Sequence, residues 1–139
     1  MPTATERTSS GRRLVVSKYV AADGDTVWRL LTDTERWPDW GPSVTDVEAD
    51  ERYIRAGTTG RVRLPVGLWI PFEVTDCGEY RWTWNVARIP ATGHRVERAG
   101  EGCRVGFELP LYAAGYALVC RRALNRIEEL ATAPSPADG

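Results

Sequence analysis

Lysine is nearly absent from this sequence: among 18 lysines and arginines only Lys18 is a lysine. The formal net charge is −1, and no basic run is interleaved with aromatics. The chain therefore offers no surface for a nucleic-acid backbone. Histidine occurs once, at His94, with no partner at metal-ligand spacing, which argues against a metal site. There is no Ser-His-Asp arrangement, phosphate loop or glycine-rich nucleotide fingerprint, so no cofactor is expected. The three cysteines, Cys77, Cys103 and Cys120, are odd in number and far apart. With no signal peptide in view, they fit free thiols filling apolar space in a reducing, cytoplasmic compartment. Apolar runs are only a few residues long, so no membrane span is expected.

What remains fits one domain of 139 residues. Residues 1–12 are polar, small and aperiodic and read as a disordered arm, and 132–139 read as a flexible tail. The domain is expected over 13–131. Residues 14–20, "LVVSKYV", have the β-branched and aromatic character of a first strand. In "DTVWRLLTD", Val27, Leu30 and Leu31 recur at helical spacing, and Asp23 or Asp25 can cap this helix. Thr34 reads as the cap of a second, very short helix over "ERWPDW", whose first turn tolerates Pro38.

Strand candidates then follow at roughly 43–50, 58–65, 68–75, 80–88, 93–99 and 103–109, separated by turn-rich breaks. Links this short force mostly antiparallel pairing. From 112 to 131, apolar residues including Tyr112, Tyr116, Cys120, Leu124 and Ile127 fall on one arc at about 100° per residue. This predicts a helix of about 30 Å. One amphipathic helix cannot bury a flat seven-stranded sheet, so the sheet must curl around it. The open mouth of such a curl needs a lid, and the short helical pair carrying Trp37 and Trp40 is available for it. On this reading the two rings pack onto an interior space.

Strand alternation selects the inward set. It contains Val62 and Leu64; Leu68, Ile70, Phe72 and Val74; Trp82, Trp84 and Val86; His94 and Val96; and Val105, Phe107 and Leu109. Trp69 is left on the outer face or at a rim. The inward polar groups are few: His94, the indoles of Trp82 and Trp84, and the hydroxyl of Tyr116, with Tyr112 one turn earlier. Aromatic walls with a few convergent polar tips suit a small-molecule site. The candidate ligand-binding residues are Trp37, Trp40, Leu64, Phe72, Trp82, Trp84, Phe107 and Tyr112. His94 and Tyr116 are the candidates for proton transfer, since imidazole normally titrates near neutrality.

The segments "VWRLLTDTERWPDWGPSVTDVE", "AGTTGRVRLP", "PFEVTD", "RWTWNV" and "GHRVERAGEGCRVGFEL" together resemble the polyketide cyclase/dehydrase family of the START-like superfamily. The resemblance covers about residues 14–131. Its most telling pieces are Val27-Trp28, Asp33 with Trp37-Pro38-x-Trp40, Gly57-x-x-Gly60, Trp82-x-Trp84 and Gly102. It implies an α+β helix-grip fold, with a strongly curled seven-stranded antiparallel sheet around a long C-terminal helix and two short helices between strands one and two. It also implies a deep apolar cavity, in which catalytic members fold and dehydrate a poly-β-ketone. Fold alone does not choose a function.

Three readings follow. The first is a cofactor-independent cyclase, aromatase or dehydratase. The second is a non-catalytic binder or carrier of a small hydrophobic molecule, working as a monomer or homodimer. The third is a protein-binding module with Trp69 as its exposed anchor.

Overall fold

The computed structural model describes residues 3–133, and eight strands within them form one antiparallel sheet. They are β1 (Thr3–Thr8), β2 (Gly11–Val20), β3 (Asp46–Ala49), β4 (Thr59–Arg63), β5 (Trp69–Gly78), β6 (Arg81–Val86), β7 (Ile89–Ala99) and β8 (Gly102–Pro110). Their spatial order is β1-β2-β8-β7-β6-β5-β4-β3, so the sheet curls but does not close. Helix α1 (Gly24–Thr32), a 3₁₀ turn (Thr34–Arg36) and α2 (Trp37–Trp40) link β2 to β3. A second 3₁₀ segment (Leu111–Tyr116) leads into α3 (Ala117–Thr132), which packs on β2 and β8 and against α1 and α2.

Eight strands replace the expected seven because residues 3–8, expected in a disordered arm, pair along β2 from Thr3↔Val16 to Thr8↔Gly11. The reason is tertiary. Glu108 on β8 is 1% exposed on the outer face of the sheet. Arg81 Nη2 reaches it at 2.6 Å and Arg95 Nη1 at 3.6 Å. The same arginines hold the β1–β2 hairpin: Arg81 donates to the hydroxyls of Ser9 (2.7 Å) and Ser10 (3.1 Å), and Arg95 pairs with Glu6 (2.6 Å). Arg81 and Arg95 stand opposite each other in the β6–β7 register. Two like charges so placed would repel, and Glu108 between them neutralises the pair. Arg95 is thus mostly buried in a clamp on the outer face. The tail expected at 132–139 begins where α3 ends, and its residues 134–139 lie outside the described residues.

Two further boundaries move. The strand expected from 93 starts at Ile89, because Ala87 and Arg88, both at positive φ, make the two-residue turn after β6. Pro90 is tolerated there because the β7–β8 register reaches only to Gly93. The C-terminal element is not one helix from 112. Residues 111–116 wind as a 3₁₀ turn with a non-helical Ala113 (φ −105°, ψ 20°), and only from Ala117 does the α-helical arc bury Cys120, Ala123, Leu124 and Ile127.

Two glycines of the family-like motifs, Gly60 and Gly102, mark close approaches. A Cβ on Gly60 would lie 2.2 Å from the Glu48 carbonyl oxygen, and one on Gly102 would lie 2.3 Å from that of Val20. Neither strand pair could hold its spacing with a side chain there.

Candidate binding cleft and the aromatic cluster beneath it

The tryptophan segment is set in place by Asp33. It is 4% exposed, accepts from the Glu35 amide (3.0 Å), and receives Arg52 through Nε (3.1 Å) and Nη2 (3.0 Å). Asp33, not Thr34, is therefore the cap. The Thr34 hydroxyl instead donates to the Arg52 carbonyl at 2.8 Å. This anchored turn delivers Trp37 and Trp40 to the concave face of the sheet.

Trp37 packs into an aromatic cluster there and also borders the small space that remains beside it. Its ring stacks on Trp82 with centroids 5.3 Å apart and planes 5° apart, and it touches Phe72 and Trp84, each at 5.3 Å. Its indole N–H donates to the Leu31 carbonyl at 2.9 Å. Trp40 donates to Leu30 (2.8 Å) and leans edge-on against Phe107 and His94. Four tryptophans and Phe72 are large enough to fill most of the curl. Phe72 lies under the cluster and lines neither of the spaces described next.

Two adjoining spaces remain. The inner one is a chamber of about 60 Å³ between Trp40, Trp82, His94, Phe107 and the start of α3. The outer one is an apolar cleft of about 330 Å³ at the end of the sheet, bounded by Val62, Leu64, Trp84, Ile89, Tyr112 and Tyr116. Ser43, Val44, Trp84, Thr92 and Tyr116 border both. The Tyr116 hydroxyl donates to Ser43 Oγ at 2.5 Å, placing a hydrogen bond in the shared wall. Tyr112, expected to face inward, is 73% exposed because the 3₁₀ winding turns it away. It stays at the cleft rim by donating to the Pro90 carbonyl at 2.8 Å. Leu68, also expected inward, is 58% exposed at the β4–β5 turn. Larger hollows of about 510 and 500 Å³ exist near Gly60 and near Gly24, but charged residues such as Glu73, Arg88, Asp23 and Arg98 line them.

A polar row crosses the chamber wall. The Trp84 indole N–H donates to Thr92 Oγ1 (3.1 Å), which lies 3.0 Å from His94 Nε2. A register shift between β6 and β7 beside Trp84 sets Thr92 in this position. His94 stacks on Trp82 at 3.9 Å and is 2% exposed. Burial pushes its pKa down to about 3, with the Arg81 charge acting in the same direction. The Trp82 backbone opposes the burial and outweighs the Arg81 charge, though no hydrogen bond of good geometry reaches Nδ1. His94 is therefore a neutral imidazole at physiological pH, far from the value that suits a general base. Partial burial raises the Tyr116 phenol, opposed by the Ser43 contact, and burial pushes the Cys120 thiol up to about 12. Cys77, Cys103 and Cys120 are all free.

Among the described residues no group of three or more His, Cys, Asp and Glu could hold a metal ion, and no helix is long and apolar enough to cross a membrane. Trp69 is half-buried beneath the Arg61 guanidinium, 4.4 Å above its ring, and Glu48 holds Arg61 in turn at 2.7 Å. An aromatic covered by its own neighbours makes a poor anchor for a partner protein.

Sequence reasoning missed Thr92 and Ser43. Thr92 shares strand parity with His94 and could have been found from it. Ser43 sits in an irregular loop after Trp40, where no periodicity applies.

The family model for "Polyketide cyclase / dehydrase and lipid transport" matches residues 12–131. The chain belongs to that family. Solved structures similar to this polyketide cyclase/dehydrase-like chain share its fold at low identity. Protein Ms6760 from Mycobacterium smegmatis is 17% identical with a TM-score of 0.63, covering 95% of this chain and 99% of its own. The protein XoxI from Bacillus cereus is 14% identical with a TM-score of 0.69, covering 87% and 96%. CalU16 from Micromonospora echinospora is 17% identical with a TM-score of 0.65, covering 98% and 86%. No curated protein matches the chain significantly.

Proposed function

We propose that this protein binds a small hydrophobic molecule, aromatic or polyketide-like, in the outer cleft, and that it acts as a binder or carrier without turnover. The observation that carries this is the union of an apolar cleft of about 330 Å³ with the part-buried polar row Trp84–Thr92–His94 at its inner end. Such a site gives area for affinity and a few polar groups for orientation. The depressed His94 pKa supports the non-catalytic reading, as does a lining without any cation to hold an enolate. Trp37, Trp40, Trp82 and Phe107 act as the floor of the site, while Leu64, Trp84, Tyr112 and Tyr116 meet the ligand.

The test is a fluorescence titration of the full chain with flat polycyclic phenols. Binding at micromolar concentration, about −8 kcal/mol, is expected to quench tryptophan emission. No change at about 100-fold higher concentration would mean the cleft does not bind such molecules.

A cyclase, aromatase or dehydratase is the second reading. It is favoured by one observation, that His94 and Tyr116 both border the chamber. In it the cleft folds a poly-β-ketone and these two side chains move protons. Turnover of such a substrate by the wild type, lost in both His94→Phe and Tyr116→Phe, would establish it over the carrier.

A further inference from the structure

We propose that residues 111–116 form a lid that rewinds from 3₁₀ to α-helix over a bound molecule and turns Tyr112 down onto it. This rests on the small-molecule reading above and adds how that site closes.

The proposal comes from a conflict between sequence and structure in this segment. Tyr112, Ala113 and Tyr116 fall on the same helical arc as Cys120, Leu124 and Ile127, the arc that α3 buries. Yet the segment winds as 3₁₀ turns that meet at the non-helical Ala113, and none of its six residues is buried. Runs of 3₁₀ beyond three or four residues are uncommon, and such a stretch within a helix often marks a hinge. Tyr112 is 73% exposed although an apolar cleft of about 330 Å³ lies beside it. A ring left in water next to unfilled apolar space gives the rewound form its driving force, once a ligand supplies a surface for the ring to cover.

The backbone geometry allows the change. An α-helix turns about 100° per residue and a 3₁₀-helix about 120°. Counted back from Ala117, the two windings point Tyr112 in directions about 100° apart. In the α form Tyr112 stands one turn before Tyr116 on the same face. Rewinding six residues shortens the segment by about 3 Å. Its start is free to follow. The β7–β8 register reaches only to Glu108, so Leu109 and Pro110 pair with β2 alone, and Pro110 has no N–H to give to that ladder. The segment is also loosely surrounded: a Cβ on Gly115 would meet no atom within 4 Å.

Little holds the lid open. Tyr112 donates to the Pro90 carbonyl at 2.8 Å in an exposed position, which is a weak tether. Tyr116, bonded to Ser43 Oγ at 2.5 Å, is the base on which the segment turns. Ala113 and Ala114 favour the α winding and Gly115 weakens it, so neither form is strongly disfavoured. A ligand that touches Tyr112 only in the α form shifts the balance by that difference in contact.

The test uses the full chain with 2-acetonaphthone, a flat two-ring ketone, as the probe. Without it, the carbonyl-carbon shifts of residues 112–116 should read as 3₁₀. At saturation they should move to α-helical values, and cross-relaxation between the Tyr112 α-proton and the Tyr116 amide should appear, as one α turn requires. Tyr112→Phe keeps the ring and removes the tether to Pro90. It is expected to bind the probe about fivefold more tightly than the wild type, the effect of one exposed hydrogen bond. Tyr112→Ala, without the ring, is expected to bind about tenfold more weakly. A static rim gives no gain for Tyr112→Phe, and a loss if the hydroxyl meets the ligand. If the probe binds but the shifts stay put, or if Tyr112→Phe binds no more tightly than the wild type, the lid is overturned while the cleft remains a binding site. If the probe does not bind at all, the small-molecule reading falls and the lid with it.

Discussion

Trp37→Ala is expected to destabilise the protein by about 5 kcal/mol, the upper end of the range for a buried aromatic truncated to alanine. Trp37 is 2% exposed and stands at the centre of the aromatic cluster, flat against Trp82 and in contact with Phe72 and Trp84. Its removal empties the middle of the curl and leaves the Leu31 carbonyl without its indole donor. The surrounding rings come from β5 and β6, whose ladder fixes their spacing, so the void cannot collapse. Trp40→Ala should cost less, about 3 kcal/mol, because that ring leans edge-on against His94 and Phe107 instead of stacking flat at the centre of the cluster. Urea melts with unchanged slopes would measure both. A loss under about 2 kcal/mol for Trp37→Ala would mean the cluster repacks and is not the support of the site.

Acid should weaken the protein through His94. Its folded pKa, about 3, lies below the ordinary 6.5. Below pH 6.5 the unfolded chain takes up a proton that the folded one refuses, so stability falls with pH down to the folded value. Above pH 6.5 the residue contributes no pH dependence. The expected loss is about 3 kcal/mol by pH 4, at 1.36 kcal/mol per unit. Carboxylates titrate in the same region, so the quantity to read is the difference between wild type and His94→Phe, which lacks the group. A steeper acid loss in the wild type fits a buried neutral imidazole. Parallel curves for the two proteins would show that His94 takes its proton inside the fold, and would return it to the candidates for proton transfer.

Much of this architecture could be read from the chain because burial leaves a period in it. The alternation through Trp82, Trp84, His94, Val96, Val105 and Phe107 named the concave face, and the arc through Cys120, Leu124 and Ile127 named the buried side of α3. What escaped depends on contacts between distant segments. β1 is polar and aperiodic, and it is ordered by Arg81, Arg95 and Glu108 from three other strands. The 3₁₀ winding that exposes Tyr112 obeys no 3.6-residue period. The amount of empty space was also hidden: inward-facing aromatics suit a cavity wall and a filled core equally, and only packing shows that Phe72 belongs to the filled part while Trp37 stands between it and the small chamber. Thr92 and Ser43, which border the remaining spaces, are placed by a register shift and a loop that no local pattern encodes.

The six tryptophans make the location of binding directly observable. The most direct test is a proton–nitrogen correlation spectrum of the indole N–H groups, recorded while 2-acetonaphthone is added. Trp84 borders both the cleft and the chamber, and Trp82 and Trp40 line the chamber. Trp28 stacks on Tyr80 and Trp69 lies beneath Arg61, both away from these spaces. The structure predicts that the Trp84 resonance moves most, with smaller shifts at Trp82 and Trp40, while Trp28 and Trp69 stay fixed. Movement confined to Trp28 or Trp69, or no movement at all at saturating ligand, would contradict a binding site between the open end of the sheet and α3.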